Sequence, residues 1–130
     1  MDRVRSYVVS AAVMLGLDLV WLGLLAPPLY QSQVGQLLRA QPDLVAATLF
    51  YALYLVGVNE FVVHAERGAS VRRVALRGAL FGLVAYATFD LTALALIRGW
   101  TVLVTVVDLA WGATLTAVVA AAAARSLPRR

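Results

Sequence analysis

Four long apolar runs limit what this chain can fold into. A helix needs about 20 residues to cross the roughly 30 Å hydrocarbon core of a bilayer, and each run is long enough. Hydrophobic residues make up 62% of the chain and charged residues only 14%, whereas soluble domains carry about 25% charged residues. We therefore predict an all-α membrane protein with one domain over residues 1–130. Its four transmembrane helices are predicted at residues 6–26, 44–64, 74–97 and 101–124.

The segments between the runs contain residues that end or begin helices. Pro27 and Pro28 are expected to end the first helix, and the Gln-Pro-Asp of residues 41–43 to begin the second. Residues 98–100, Arg-Gly-Trp, indicate a tight turn before the fourth helix. In residues 27–41, apolar side chains recur at helical spacing, which predicts a short amphipathic helix on the outer membrane interface. These apolar residues are Tyr30, Val34, Leu37 and Leu38.

The arginines are distributed unevenly between the two ends of this arrangement. Four spans place both termini and the loop between the second and third spans on one side. Of the eleven basic residues, all arginines, only Arg39 and Arg98 fall on the opposite side. Because arginine and lysine are enriched in cytoplasmic segments, we expect both termini to be cytoplasmic. The arginines of the terminal side are Arg3, Arg5, Arg67, Arg72, Arg73, Arg77, Arg125, Arg129 and Arg130.

The composition excludes several classes of site. The chain has no cysteine and a single histidine, which excludes disulfides, thiolate sites and zinc sites built on several histidines. It contains no glycine-rich phosphate loop and no nucleophile elbow. The arginines that give the net charge of +4 adjoin apolar runs, which indicates contact with lipid headgroups rather than nucleic acid. We predict no metal or cofactor, no nucleic-acid partner, and membrane lipids as partners.

Three aspartates interrupt the apolar runs at a similar depth. Asp18 lies eight residues before the end of the first run, Asp90 seven before the end of the third, and Asp108 seven after the start of the fourth. At 1.5 Å per residue each lies roughly 10–12 Å below the outer boundary. An aspartate facing lipid near the middle of a span costs about 2.5–3.5 kcal/mol. We therefore expect all three to face inward as one cluster of candidate catalytic residues.

Aromatic and hydroxyl side chains lie near these aspartates along the sequence. Trp21 and Trp111 each follow an aspartate by three residues, which places them on the same helix face. Tyrosine and threonine hydroxyls at comparable depth can hydrogen-bond the carboxyl groups. The predicted lining of a shared cavity is Trp21, Tyr51, Tyr54, Tyr86, Thr105 and Trp111.

Each of these features also has a structural explanation. The aspartates can hold helices together through hydrogen bonds, although intramembrane acids are most often functional. Glu60 and His64 share a helix face and can form a proton relay, but two side chains extending from the interface into water are the simpler interpretation. Gly78 and Gly82 indicate close helix packing, within the bundle or against a second copy.

Short motifs around the aspartates are similar to those of a known family. The motifs are DLVWL at residues 18–22, DLT at 90–92 followed by GW at 99–100, and VDLAWG at 107–112. They resemble the bacterial integral membrane proteins grouped as domain of unknown function 2177. The resemblance extends over essentially the whole chain and implies a location in the bacterial inner membrane. It implies no particular activity.

Two positions differ from the pattern of that family. Phe89 stands where the family usually has tyrosine, and Ala93 where it usually has asparagine. Ala93 is three residues after Asp90 and therefore on the same helix face. A polar neighbour of this acid is missing here, so a mechanism that requires an amide at this position is not expected.

The sequence supports three hypotheses of different kinds. The first is a lipid-handling protein, an enzyme or an accessory subunit, whose aspartates exchange protons with an apolar substrate. The second is a small oligomeric transporter or channel coupled to protons. The third is an assembly factor for a larger membrane complex. A second copy of the chain or another membrane protein is a further candidate partner.

Overall fold

The computed structural model describes residues 1–128, and within that range the chain is helical with no strand. Arg129 and Arg130, which were counted with the terminal arginines, lie outside the described residues. Four helical segments are long and apolar enough to cross a membrane, with a mean hydropathy of 1.6 to 2.2 over their most apolar stretches. These first to fourth spans are Asp2–Leu37, Leu44–Val63, Val71–Leu96 and Val102–Arg125.

The first span continues through the two prolines, contrary to the prediction that they end it. Helix α1 (Asp2–Val20) passes into a wide π-helical turn at Trp21–Leu25 and then into α2 (Ala26–Val34). The amide of Ala26 bonds to the carbonyl of Trp21, five residues back. Prolines lack the amide that an α-helix interior requires, and the wide turn places them at the start of a new helical segment. A 3₁₀ turn at Gly35–Leu37 then ends the span.

Capping residues begin the other spans, and the third begins at Val71, three residues before its predicted start at residue 74. The Asp43 carboxylate accepts hydrogen bonds from the amides of Val45 (3.0 Å) and Ala46 (3.1 Å) and so caps α3 (Leu44–Val58). A π-helical turn at Asn59–Val63 completes the second span. The third span, α4 (Val71–Leu96), and the fourth, α5 (Val102–Arg125), are capped by Ser70 and Thr101 respectively.

The third and fourth spans pack most closely, through glycines. At Gly78 an added methyl group would lie 2.8 Å from the backbone oxygen of Thr116. At Gly82 it would overlap the backbone oxygen of Gly112. The two glycines therefore allow the helices to approach within the bundle, as small residues do between membrane helices.

Hydrogen bonds join the termini and the loop between the second and third spans at one end of the bundle. Arg67 donates to the Asp2 carboxylate (3.0 Å) and to the carbonyl of Pro128 (3.1 Å). Arg5 donates to the carbonyl of Ser126 (3.2 Å). We call this the arginine-rich end, and the opposite end, with residues 26–44 and 97–101, the cavity end.

Polar side chains join the first and second spans along a seam. The amide of Asn59 donates to Ser10 Oγ (3.0 Å), and Ser6 Oγ lies 3.0 Å from Nε2 of His64. Glu60 pairs with Arg3 instead of His64, so the two residues of the suggested relay are not hydrogen-bonded to each other.

Candidate functional site

A cavity of about 600 Å³ lies at the cavity end, between the spans. All four spans contribute side chains to it, and the segment after the prolines contributes Tyr30, Val34, Leu37 and Leu38. The polar and aromatic residues that line it are Asp18, Trp21, Tyr30, Arg39, Tyr51, Tyr86, Phe89, Trp100, Asp108 and Trp111.

Asp18 is buried in the lining and held by two donors. Its side chain lies on the inward stripe of α1, and the residue is 6% exposed. The Tyr51 hydroxyl donates to Oδ2 (2.8 Å), and the Trp111 indole N–H donates to Oδ1 (3.3 Å). Both oxygens therefore act as acceptors, in the manner of a carboxylate, and the first, second and fourth spans meet at this residue.

Asp108 lines the same cavity from the fourth span. It is half-buried, and no ion pair or side-chain hydrogen bond engages it within residues 1–128. Its carboxyl group therefore stays available to whatever occupies the cavity.

Asp90 does not line the cavity, although the sequence predicts the same depth for all three aspartates. The residue is 1% exposed, and both carboxyl oxygens are buried without a hydrogen-bond partner among the described residues. Gly82 and Ala93 are buried on the same helix, and Gly82 faces the fourth span. Asp18 and Asp108 are therefore brought to one cavity, while Asp90 is placed apart from it.

The predicted lining residues divide in the same way. Trp21, Tyr51, Tyr86 and Trp111 line the cavity. Tyr54 instead lies in the core, hydrogen-bonded to Thr116. Thr105 is buried and donates to the carbonyl of Thr101 at 2.9 Å; neither residue reaches the cavity lining.

Aromatic rings form much of the cavity surface. The indoles of Trp21 and Trp111 stack with centroids 4.6 Å apart and planes 8° apart. Tyr30 meets the edge of Trp21, with centroids 6.5 Å apart. Trp100 lines the cavity, and its buried Nε1 has no partner among residues 1–128. All three tryptophans of the chain therefore contact the cavity.

The segment after the prolines covers the cavity and contributes residues that sequence reasoning did not assign to the site. Its apolar residues Tyr30, Val34, Leu37 and Leu38 all line the cavity. We expected this apolar face to lie on the membrane interface. The helical spacing was the available signal, but it indicates an apolar face without identifying what the face covers.

The acidic residues differ in whether an arginine pairs with them. Four of the seven acidic residues pair with arginines, and none of these four is an aspartate of the bundle interior. They are Asp2, Asp43, Glu60 and Glu66. Hydrogen bonds from Arg73 and Arg77 lower the pKa of Glu66, which lies between the second and third spans. Asp18, Asp90 and Asp108 have no arginine partner within the described residues.

The described residues lack the clustered side chains that hold a metal ion. Residues 1–128 contain no group of three or more histidine, cysteine, aspartate or glutamate side chains placed to hold a metal ion. The chemical groups of the cavity are two carboxyl groups, tyrosine hydroxyls, indoles and the Arg39 guanidinium.

Comparison with known proteins gives one family. No curated protein and no solved structure matches the chain. The sequence model of a family described as "Predicted membrane protein (DUF2177)" matches residues 3–125. The chain therefore belongs to the membrane protein family DUF2177, the family that the motifs around Asp18, Asp90 and Asp108 resemble.

Proposed function

We propose that the protein binds a membrane lipid in this cavity and presents it for chemistry, as an enzyme or as the accessory subunit of one. The cavity volume carries the proposal. About 600 Å³ falls within the range of roughly 300–1,000 Å³ typical of small-molecule sites, which are mostly apolar with a few polar groups. Leucines, isoleucine and aromatic rings provide the apolar surface here, and Asp18 and Asp108 the polar groups.

Access from the bilayer supports a lipid as the ligand. The lining residues Leu22 and Phe89 are themselves exposed on the outside of the bundle. At the start of the second span, residues 44–50, which precede the lining residue Tyr51, only Ala47 is partly buried. This part of the span therefore packs loosely against its neighbours, and a lipid chain can enter beside it without crossing water.

Orientation follows from the arginines. Because arginine is enriched on the cytoplasmic side, the arginine-rich end is proposed to face the cytoplasm of a bacterial cell. The cavity then opens in the outer half of the inner membrane, and lipids of the outer leaflet are the proposed partners.

The proposed chemistry is proton exchange. Asp18 is fixed by Tyr51 and Trp111, whereas Asp108 has no side-chain partner among residues 1–128. One fixed and one available carboxyl group in the same cavity fit the roles of general base and general acid. An accessory subunit would use the same groups to orient a lipid for a partner enzyme.

The alternative of proton-coupled transport is less well supported. The seam between the first and second spans has polar groups at Asp18, Ser10 and Ser6. Met14 lies on the same stripe of α1 and is fully buried. Asp18 and Ser10 are two helical turns apart, and the apolar Met14 side chain lies between them. The hydrogen bonds therefore form no continuous path from the cavity to the arginine-rich end.

Two matched variants test the proposed function. Leu22→Trp adds bulk at a lining residue, and Leu24→Trp adds the same bulk at a residue of the same turn that is 72% exposed and not in the lining. Each protein is purified in a mild detergent, and retained lipid is quantified by mass spectrometry. We expect wild type and Leu24→Trp to retain one lipid class in near-stoichiometric amount and Leu22→Trp to lose it.

A genetic experiment connects lipid binding with function. A strain lacking the gene is complemented with wild type or with an Asp18→Asn, Asp108→Asn double variant of equal membrane abundance, and its lipids are profiled. Restoration by wild type alone supports the proposal. Equal lipid retention by both tryptophan variants, together with an unchanged profile in every strain, would contradict it, and a proton flux in liposomes would then favour transport.

A further inference from the structure

We infer that the cavity binds a cationic group, an ammonium or a quaternary ammonium carried by a lipid-like chain. This inference rests on the proposed function and specifies its ligand. It is based on the combination of two carboxyl groups and several aromatic rings in one cavity.

The charges in the lining lack a compensating partner. Asp18 and Asp108 line the cavity without an arginine partner in the described chain, and Arg39 is the one basic residue in the lining. Arg39 is largely exposed, and its guanidinium lies 3.7 Å from the Asp43 carboxylate. It therefore pairs with Asp43 and not with the aspartates of the lining. Carboxyl groups at membrane depth require a partner of opposite charge or a proton, and a ligand cation provides that charge.

The aromatic surface is suited to the same group. A cation is attracted to the face of an indole or phenol ring within about 6 Å of its centroid. Trp21, Tyr51, Tyr86, Trp100 and Trp111 all contribute to the lining. Aromatic rings combined with carboxylates are the usual means by which proteins bind alkylammonium groups, because the rings tolerate the methyl groups that a hydrogen-bonding site excludes.

The geometry also disfavours an anionic group deep in the cavity. An anion near Asp18 would be repelled by its carboxylate. It would also find no free donor there, because the Tyr51 O–H and the Trp111 N–H already donate to the Asp18 oxygens. Arg39, Leu37 and Leu38 belong to the segment at the cavity end, so an anionic part of the ligand would be tolerated only at the mouth.

Intrinsic fluorescence provides a direct assay, because every tryptophan of the chain lines the cavity. The purified protein in dodecyl maltoside is titrated with dodecyltrimethylammonium, with dodecanol and with dodecyl sulfate at concentrations below those that unfold it. The three ligands share one chain length and differ in charge. Tetramethylammonium, which has no chain, distinguishes a lipid-like ligand from a water-soluble amine.

We expect dodecyltrimethylammonium to bind at least about tenfold more tightly than dodecanol, a ratio equivalent to one favourable charge contact. Asp18→Asn and Asp108→Asn should each remove most of that preference and leave dodecanol binding unchanged. Asp90→Asn, which changes an intramembrane aspartate outside the lining, is the control. Tetramethylammonium should bind much more weakly than the long-chain cation.

The outcomes separate this inference from the proposed function. Equal affinity of the wild-type protein for all three long-chain ligands overturns the cation preference but leaves lipid binding intact. This comparison uses wild-type protein only, so it does not depend on whether a variant folds. Tight binding of tetramethylammonium overturns the lipid-like nature of the ligand. No binding of any chain, together with equal lipid retention by Leu22→Trp and wild type, overturns both proposals.

Discussion

Replacing Gly82 with alanine tests whether backbone contact sets the separation of the third and fourth spans. A methyl group at this position would overlap the carbonyl oxygen of Gly112 and lie 2.7 Å from Cβ of Thr116. Ordinary contacts of a Cβ atom begin at 3.4 Å. Neither neighbouring atom is the end of a flexible side chain, so the helices themselves must move apart.

The magnitude follows from the size of that displacement. A gap of about 0.5–1 Å removes a quarter to a half of the dispersion attraction between the facing atoms, and overpacking of a well-packed interface costs about 1–3 kcal/mol. Gly78 lies one turn away and is also in close contact with Thr116, so the displacement affects more than one turn. We therefore expect Gly82→Ala to lower the free energy of unfolding by about 2–3 kcal/mol.

The measurement is a reversible titration from dodecyl maltoside into sodium dodecyl sulfate, followed by tryptophan fluorescence. Gly16→Ala is the matched control, because it makes the same change inside α1 where no atom lies within 4 Å of the new methyl group. It should cost nothing and can gain up to about 1 kcal/mol from helix propensity. Equal stability of the two variants would refute the argument that backbone contact determines this interface.

Three further variants probe the site and the arginine-rich end. Trp111→Phe keeps an aromatic ring but removes the N–H that bonds to Asp18, so it should cost about 1 kcal/mol in the same titration; no loss would mean that this 3.3 Å hydrogen bond contributes little. Gly112→Ala places a methyl group 2.8 Å from Cδ2 of the Tyr86 ring, so the ring must leave its position and binding of long-chain ligands should weaken, as fluorescence titration would detect. Burial lowers the pKa of His64, which lies just beyond the second span, from its usual 6.5. The folded protein disfavours the charged imidazole, so the unfolded state takes up a proton at His64 more readily. The contribution of neutral His64 to the free energy of unfolding is therefore present above pH 6.5 and is lost as the pH falls below that value. His64→Gln should reduce this pH dependence between pH 8 and 5, and identical profiles of variant and wild type would contradict the assignment.

The starts of the second and fourth spans were predictable because the interactions that fix them are local, whereas the first and third spans begin four and three residues earlier than predicted. Asp43 and Thr101 each cap a helix that begins at the next residue, and both interactions are encoded within three residues of sequence. The end of the first helix was not predictable by the same local rule. Proline excludes an α-helical hydrogen bond, but it does not exclude a wider turn, and the stability of that turn depends on distant packing partners.

Residue counting predicts the depth of an aspartate along its helix but not the direction in which its side chain points. Counting residues along a helix gives the height of a side chain to within a turn. Its direction depends on how each helix is rotated against its neighbours. Close contacts at Gly82 and Gly112 set that rotation for the third and fourth spans, and as a result Asp108 faces the cavity while Asp90 lies away from it.

The π-helical turn at Trp21–Leu25 explains how the two parts of the first span come to line one cavity. Tyr30 follows Asp18 by twelve residues, and at about 100° per residue a regular α-helix would place their side chains roughly 120° apart. A turn that accommodates one extra residue removes about 100° of that difference, which brings both side chains to nearly the same face, and both line the cavity. The prolines at the start of α2 prevent the turn from relaxing into a regular α-helix, because neither can supply the missing amide. The feature expected to end the first helix therefore helps to place the cover of the cavity over its carboxyl groups.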